Sequence, residues 1–113
     1  MKKLLITGAN GFIGKNLLFA LRNYKVFIYD KGYSDEYLET VLRDVDFIFH
    51  LASGITGGFN TDLTKCILKT LDDYGNYPPI LYTSTIQVEK NTDYGRHKRL
   101  EEELLKYYKG DLY

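Results

Sequence analysis

A chain of 113 residues is long enough for one domain with a real core, since a domain of this size buries roughly two thirds of its unfolded surface. It carries 15 basic and 15 acidic residues, so it lacks the basic excess that offsets phosphate charge in nucleic-acid binders. Its longest like-charge run is Glu101 to Glu103, its apolar start ends at Thr7-Gly8 before a secretory segment could form, and no stretch approaches a membrane span.

These exclusions predict a cytoplasmic protein with neither nucleic acid nor membrane as partner. The single Cys66 cannot form an internal disulfide and has no ligand-type neighbours at metal spacing. It is read as a small core residue, and no metal site is expected.

Four apolar runs are expected to be strands: Lys3 to Thr7, Val26 to Tyr29, Phe47 to Leu51 and Ile80 to Ser84. They are continuous rather than alternating, as in parallel strands covered on both faces. Helical spacing fills the intervals. Ile13, Leu17 and Leu21 recur every fourth residue. Leu38, Val41, Leu42 and Val45 follow an N-cap at Ser34, and Leu63, Ile67, Leu71 and Tyr74 precede a stop at Gly75. A fourth helix is predicted from Gly95 to Lys109, with Leu100, Leu104 and Tyr107 or Tyr108 facing inward. Pairs such as His97-Glu101, Lys98-Glu102 and Glu102-Lys106 mark its solvated flank. Strand–helix alternation with short connections implies right-handed βαβ units. The expectation is therefore an α/β fold in one domain, residues 1–113, with a doubly wound parallel sheet of about four strands and helices on both faces.

The run Thr7-Gly8-Ala9-Asn10-Gly11-Phe12-Ile13-Gly14 lies directly after the first strand and opens the first helix. Gly8 permits the tight turn, Gly11 lets the backbone approach a pyrophosphate, and Gly14 lets helix and strand pack closely. The pyrophosphate rests on free N–H groups at the positive end of the helix dipole. The spacing does not fit a magnesium-binding P-loop, since Asn16 stands where Ser or Thr would be needed. A glycine turn with a purely structural role has the same spacing. Asp30, at the end of the second strand, can accept hydrogen bonds from the adenine ribose and repel a 2′-phosphate, which favours NAD. Lys31 beside it could accommodate that phosphate, so NADP stays open.

Tyr94 and Lys98 stand one turn apart near the start of the fourth helix. A tyrosine titrates at about 10, so acid–base work near neutrality needs roughly 4 kcal/mol of help from a nearby cation. Thr83-Ser84-Thr85 ends the fourth strand, at the sheet edge where ligands of open α/β folds bind. With eleven tyrosines in the chain, a Tyr-x-x-x-Lys spacing alone is also what a helix surface would show. Its place after a hydroxyl-bearing strand end, in a chain with a dinucleotide turn, favours the catalytic reading.

Taken in order, these residues resemble the extended short-chain dehydrogenase/reductase family, in the branch of NAD-dependent epimerases and dehydratases. Thr7-Gly8-x-x-Gly11-Phe12-Ile13-Gly14 resembles its TGxxGFIG form, and His50-Leu51-Ala52 its H-x-A strand end. Asn60 and Thr64 resemble its NxxxT helix opening, Thr83 to Val88 its hydroxyl segment, and Tyr94-Gly95-x-x-Lys98 its YGxxK helix. The resemblance spans the whole chain and is strongest to the reductases of capsular polysaccharide sugar synthesis.

The resemblance implies a Rossmann-type domain with Tyr94 as acid/base, Lys98 holding the nicotinamide ribose and lowering the Tyr94 pKa, and Thr85 in the catalytic Ser/Thr role. It implies NAD or NADP contacts from Gly8, Asn10, Gly11, Phe12, Ile13, Gly14, Asp30, Lys31, Leu51, Ala52, Ser53, Asn60, Thr83, Ser84, Tyr94 and Lys98. The implied reaction moves a hydride between the nicotinamide and a carbon of a nucleotide sugar.

The chain departs from the family in four places. His97 stands where Ser is usual, Glu89-Lys90 replaces an aromatic-Gly pair, and the interval from Asp30 to Ser34 is too short for the usual third strand. Family members are also considerably longer. Their substrate lobe follows the segment matched here, and Gly110 to Tyr113 falls where the next core strand would begin. A sheet truncated there exposes an edge that could pair with a second copy. Two function classes follow: a nucleotide-sugar epimerase, dehydratase or reductase, and a non-catalytic dinucleotide-binding or assembly module.

Overall fold

The computed structural model describes residues 2–8, 12–29, 33–51, 57–82 and 93–113, with the backbone alone described at 12, 13, 57–61, 93–98 and 101. Strands and helices alternate as β1 (Lys3–Thr7), α1 (Phe12–Ala20), β2 (Lys25–Tyr29), α2 (Asp35–Leu42), β3 (Phe47–His50), α3 (Gly57–Tyr74), β4 (Ile80–Tyr82) and α4 (Asp93–Lys106). All four strands run parallel in the order β2-β1-β3-β4.

That order decides which helix covers which face. The chain steps one way from β1 to β2, then crosses back past β1 to β3 and continues outward to β4. Right-handed crossovers therefore place α1 on one face and α2 and α3 on the other. The packing agrees. Leu5 of β1, Ile48 of β3 and Ile80 of β4 are buried with Leu38, Val41 and Leu42 of α2, Leu63, Ile67 and Leu71 of α3, and Leu105 of α4. On the opposite face Ile6, Val26, Ile28 and Phe49 pack with Leu17, Leu18 and Leu21 at the α1 end. Strands buried on both sides need no polar face, which is why their sequences read as unbroken apolar runs.

Local chemistry sets the helix ends. Ser34 is extended and its hydroxyl accepts from the Tyr37 N–H, while Asp35 and Glu36 sit in the first turn of α2, where the helix dipole favours acids. Past α3, Gly75 takes φ +66° and the Asn76 N–H returns to the Leu71 carbonyl at 3.1 Å, closing the helix with a left-handed glycine.

Two expectations about packing are corrected. Among the described side chains of α4, Leu105 is in the core, while Leu100 is 53% exposed and Tyr107, just past the helix, 78% exposed. Leu104 and Tyr108 are half-buried. Tyr74, expected inward on α3, is also exposed, its ring lying under the Arg43 guanidinium 5.1 Å away. The fourth strand is described as far as Tyr82, so its expected extension to Ser84 lies outside the described residues.

Beyond α4 the chain returns to the sheet. Ile80 N–H donates to Asp111, Tyr113 N–H to Ile80 and Tyr82 N–H to Tyr113, which lays residues 111–113 parallel to β4. This is the position expected for the next strand. At the other side β2 is an edge among the described residues, and α2 begins soon after it, as the short interval from Asp30 to Ser34 implied. No helix among the described residues is long and apolar enough to cross a membrane.

Candidate functional site

In an open parallel sheet a ligand crevice forms where successive crossovers leave in opposite directions, outside the carboxyl ends of the strands. Here that point lies between β1 and β3. Gly8 follows β1 at this edge with φ +75°, a conformation that residues with a Cβ rarely adopt. Helix α1 starts at Phe12, and Gly14 is buried in its first turn. A strand end, a left-handed glycine and a helix N-terminus carrying a buried glycine thus follow one another at the switch point.

Several expected site residues fall elsewhere. Asn10, Gly11, Asp30, Lys31, Ala52, Ser53, Thr83, Ser84 and Thr85 lie outside the described residues. Phe12, Ile13, Asn60, Tyr94 and Lys98 lie on helices: the first two open α1, Asn60 is in the first turn of α3, and Tyr94 and Lys98 are one turn apart on α4. Leu51 is buried just past β3, and its N–H donates to the Thr7 carbonyl at 3.2 Å, so it extends the β1–β3 ladder at the crevice.

The last registered row of the sheet below the crevice changes character. Thr7 is paired with Tyr29 on one side and His50 on the other, and His50 is paired with Tyr82. One row earlier the same face carries Leu5, Phe27, Ile48 and Ile80. Thr7 and His50 are 0% and 2% exposed, and Thr64 of α3 is 1% exposed. The Thr7 hydroxyl lies 2.8 Å from His50 Nδ1, and the Thr64 hydroxyl 2.7 Å from His50 Nε2. A neutral imidazole donates from one nitrogen and accepts at the other, and a hydroxyl can do either, so both bonds form with either tautomer. The ring centroid is also 5.7 Å from that of Tyr82, the residue before the Thr83-Ser84-Thr85 run.

This linkage was missed at the level of sequence, although its three members stand within motifs already singled out. The available signal was a histidine at period two from Ile48 in an otherwise apolar strand.

Aromatic residues gather at the carboxyl end of β2. The Tyr33 ring meets Tyr29 edge-on at 6.0 Å and Tyr37 at 5.7 Å. Burial first, and then Asp35, push the Tyr29 phenol above its ordinary pKa; burial first, and then Tyr33, do the same for Tyr37. Burial also raises the Cys66 thiol, which packs half-buried against the core, in keeping with a small apolar role. A groove of about 340 Å³ between α3 and α4, lined by Leu68, Asp72, Tyr77 and Leu104 among others, lies toward the other end of α3 from Gly57 and Asn60.

No family model matches the chain. It is 37% identical over 121 aligned positions to the UDP-2-acetamido-2,6-beta-L-arabino-hexul-4-ose reductase of Pseudomonas aeruginosa, covering 97% of this chain and 32% of that protein. Among solved structures it is similar to the capsular polysaccharide assembling protein CapF of Staphylococcus aureus, with a TM-score of 0.77 and 31% identity over 97% of this chain and 34% of CapF. The fold is shared with the UDP-N-acetylglucosamine 4-epimerase of Bacillus cereus, with a TM-score of 0.72 at 23% identity over 96% of this chain and 49% of that one. The chain thus spans about a third of the length of its more similar relatives. Along almost its whole length, in sequence and in fold, the chain is similar to about a third of these two proteins, in line with the resemblance to the extended short-chain dehydrogenase/reductases.

Proposed function

We propose that residues 1–113 are the dinucleotide-binding domain of a nucleotide-sugar reductase, epimerase or dehydratase that serves cell-surface polysaccharide synthesis in the cytoplasm. The observation that carries this reading is the left-handed Gly8 at the end of the central strand, at the switch point, leading into a helix with Gly14 buried in its first turn. The likeness to the Pseudomonas reductase and to CapF supports the substrate class.

In this reading Gly8, Asn10, Gly11, Phe12, Ile13 and Gly14 cradle the pyrophosphate of NAD or NADP. Asp30 and Lys31 meet the adenine ribose, and Leu51, Ala52, Ser53, Asn60, Thr83 and Ser84 line the remaining path. A bound nicotinamide supplies or accepts the hydride. Tyr94 holds the proton exchanged with the sugar oxygen, Lys98 binds the nicotinamide ribose and stabilises the Tyr94 phenolate, and Thr85 hydrogen-bonds that same oxygen. The edge formed by residues 111–113 is a surface on which a second copy could pair.

Calorimetric titration with NAD, NADH, NADP and NADPH tests the cradle. Saturable binding of one oxidised–reduced pair is expected, and no binding of any of the four overturns the reading. Hydride transfer with nucleotide sugars is expected to be lost in Tyr94→Phe, and hydride transfer left intact in that variant would remove Tyr94 from its role. Binding without turnover of any nucleotide sugar would favour the non-catalytic module.

A further inference from the structure

We propose that His50 is a positioning residue for the dinucleotide cradle, holding the end of β1 in place from the adjacent strand. The proposal rests on the reading of the Gly8 turn as that cradle. Thr7 is the last residue of β1 and the one from which the turn departs. Its carbonyl and its hydroxyl are both engaged from the β3 side: the carbonyl accepts from Leu51 N–H at 3.2 Å and the hydroxyl pairs with His50 Nδ1 at 2.8 Å. The second ring nitrogen is held by Thr64 at 2.7 Å, so the imidazole is fixed between a strand and a helix and cannot rotate without losing a buried bond.

The placement explains why a polar row exists here at all. One row lower, apolar side chains suffice to hold the strands together, because packing has no preferred direction. A site that must meet a pyrophosphate needs its strand end held to within a fraction of an ångström, and directional bonds between buried groups supply that constraint. The His50 ring also lies tilted beside Tyr82, centroids 5.7 Å apart, and Tyr82 leads into Thr83-Ser84-Thr85. One ring therefore touches the two strand ends that the proposed chemistry uses, as well as α3.

Two variants separate positioning from bulk stability. His50→Phe fills the site with a somewhat larger ring and removes both hydrogen bonds. His50→Asn leaves part of the space empty but retains a polar group close to the Nδ1 position, within reach of Thr7. Packing predicts that His50→Asn melts at or below His50→Phe. Positioning predicts the reverse order for NADH affinity: at least a tenfold loss in His50→Phe, and recovery to within about threefold of the parent chain in His50→Asn.

Crossed rankings of melting temperature and affinity support the proposal, and affinity that simply follows stability overturns it. Amide exchange at Gly8 and Leu51 reads the same question without ligand, with faster exchange in His50→Phe than in His50→Asn expected and equal rates counting against positioning. If the parent chain binds no dinucleotide, the cradle reading fails while the exchange rates still decide whether His50 holds the turn.

Discussion

The two ends of the sheet use polar residues in opposite ways. At the carboxyl end, Thr7, His50 and Thr64 are buried, and the His50 ring bonds to both hydroxyls. At the amino end charged and polar groups meet at the surface: Lys3 pairs with Asp44, Lys109 lies 3.7 Å from Asp72, and Tyr77 donates to Asp72 at 2.6 Å. Exposed ion pairs contribute little because water and salt compete for each partner, whereas a buried bond cannot be replaced by water when it is cut. The comparison teaches that the number of polar contacts at an end does not measure how firmly that end is held. Each end also has a left-handed glycine, Gly8 above and Gly75 below, so the contrast can be tested with matched substitutions.

The largest effect is expected at Gly8. Gly8→Val puts a branched side chain where φ is +75°, which costs about 2 kcal/mol, and it should also weaken dinucleotide binding at least tenfold. At Gly75 an added Cβ would meet nothing within 4 Å, so Gly75→Ala should cost only the backbone strain, about 1 kcal/mol, and leave affinity unchanged. Thermal melting with titration on both variants checks the pair, and equal losses of affinity would dissolve the distinction between the ends.

Next in size is Thr7→Val, an isosteric change that removes one buried bond to His50 and should cost about 1–3 kcal/mol by denaturant unfolding. Asp44→Asn at the opposite end breaks the pair with Lys3 and should shift the unfolding midpoint far less. Comparable shifts would show that burial is not what separates the two ends.

The smaller effects concern pH. Burial, reinforced by Tyr77 and Asp111, pushes the Tyr108 phenol well above its usual 10.0, and its hydroxyl donates to the Pro78 carbonyl. The folded state keeps that proton while the unfolded chain loses it, so this contribution is complete below pH 10.0 and is lost as pH rises above it. The fall in melting temperature between neutral and strongly alkaline buffer should therefore be shallower in Tyr108→Phe. At acid pH the sign reverses. The Tyr77 hydroxyl, then Lys109, hold Asp72 below its usual 3.8, so its contribution is present above that value and disappears as pH falls through the lower folded one. Because Asp72 is exposed, this acid-side loss should be slight, and roughly 1 M salt should remove only the part that Lys109 supplies, since salt screens charges but leaves the Tyr77 hydrogen bond.

How far the sequence could be read is clearest in α4. Its charged residues and three leucines announce an amphipathic helix, but Leu104 and Leu105 are adjacent, and spacing alone does not say which one points inward. Packing of α4 against α3 selects Leu105 and leaves Leu100 half in solvent. Tyr74 was misplaced for a related reason: a tyrosine in the last turn of a helix can lie along the surface beneath an arginine at little cost.

His50 shows the other kind of limit. The sequence places it at a strand end and Thr64 in a helix, with Thr7 43 residues before His50, and nothing local joins the three. Parallel register brings Thr7 beside His50, and packing of α3 over the sheet delivers Thr64 to the far side of the ring.

By itself, then, the sequence determined the alternation of elements, the parallel sheet and the glycine turn, because hydrophobic runs, caps and glycines act over a few residues at a time. The place of residues 110–113 as the next strand was legible too. The strand order, the inward residue of α4 and the buried Thr7–His50–Thr64 linkage were decided only by the tertiary structure. Those features depend on distances between residues far apart in the chain, and only the packed sheet and helices set such distances.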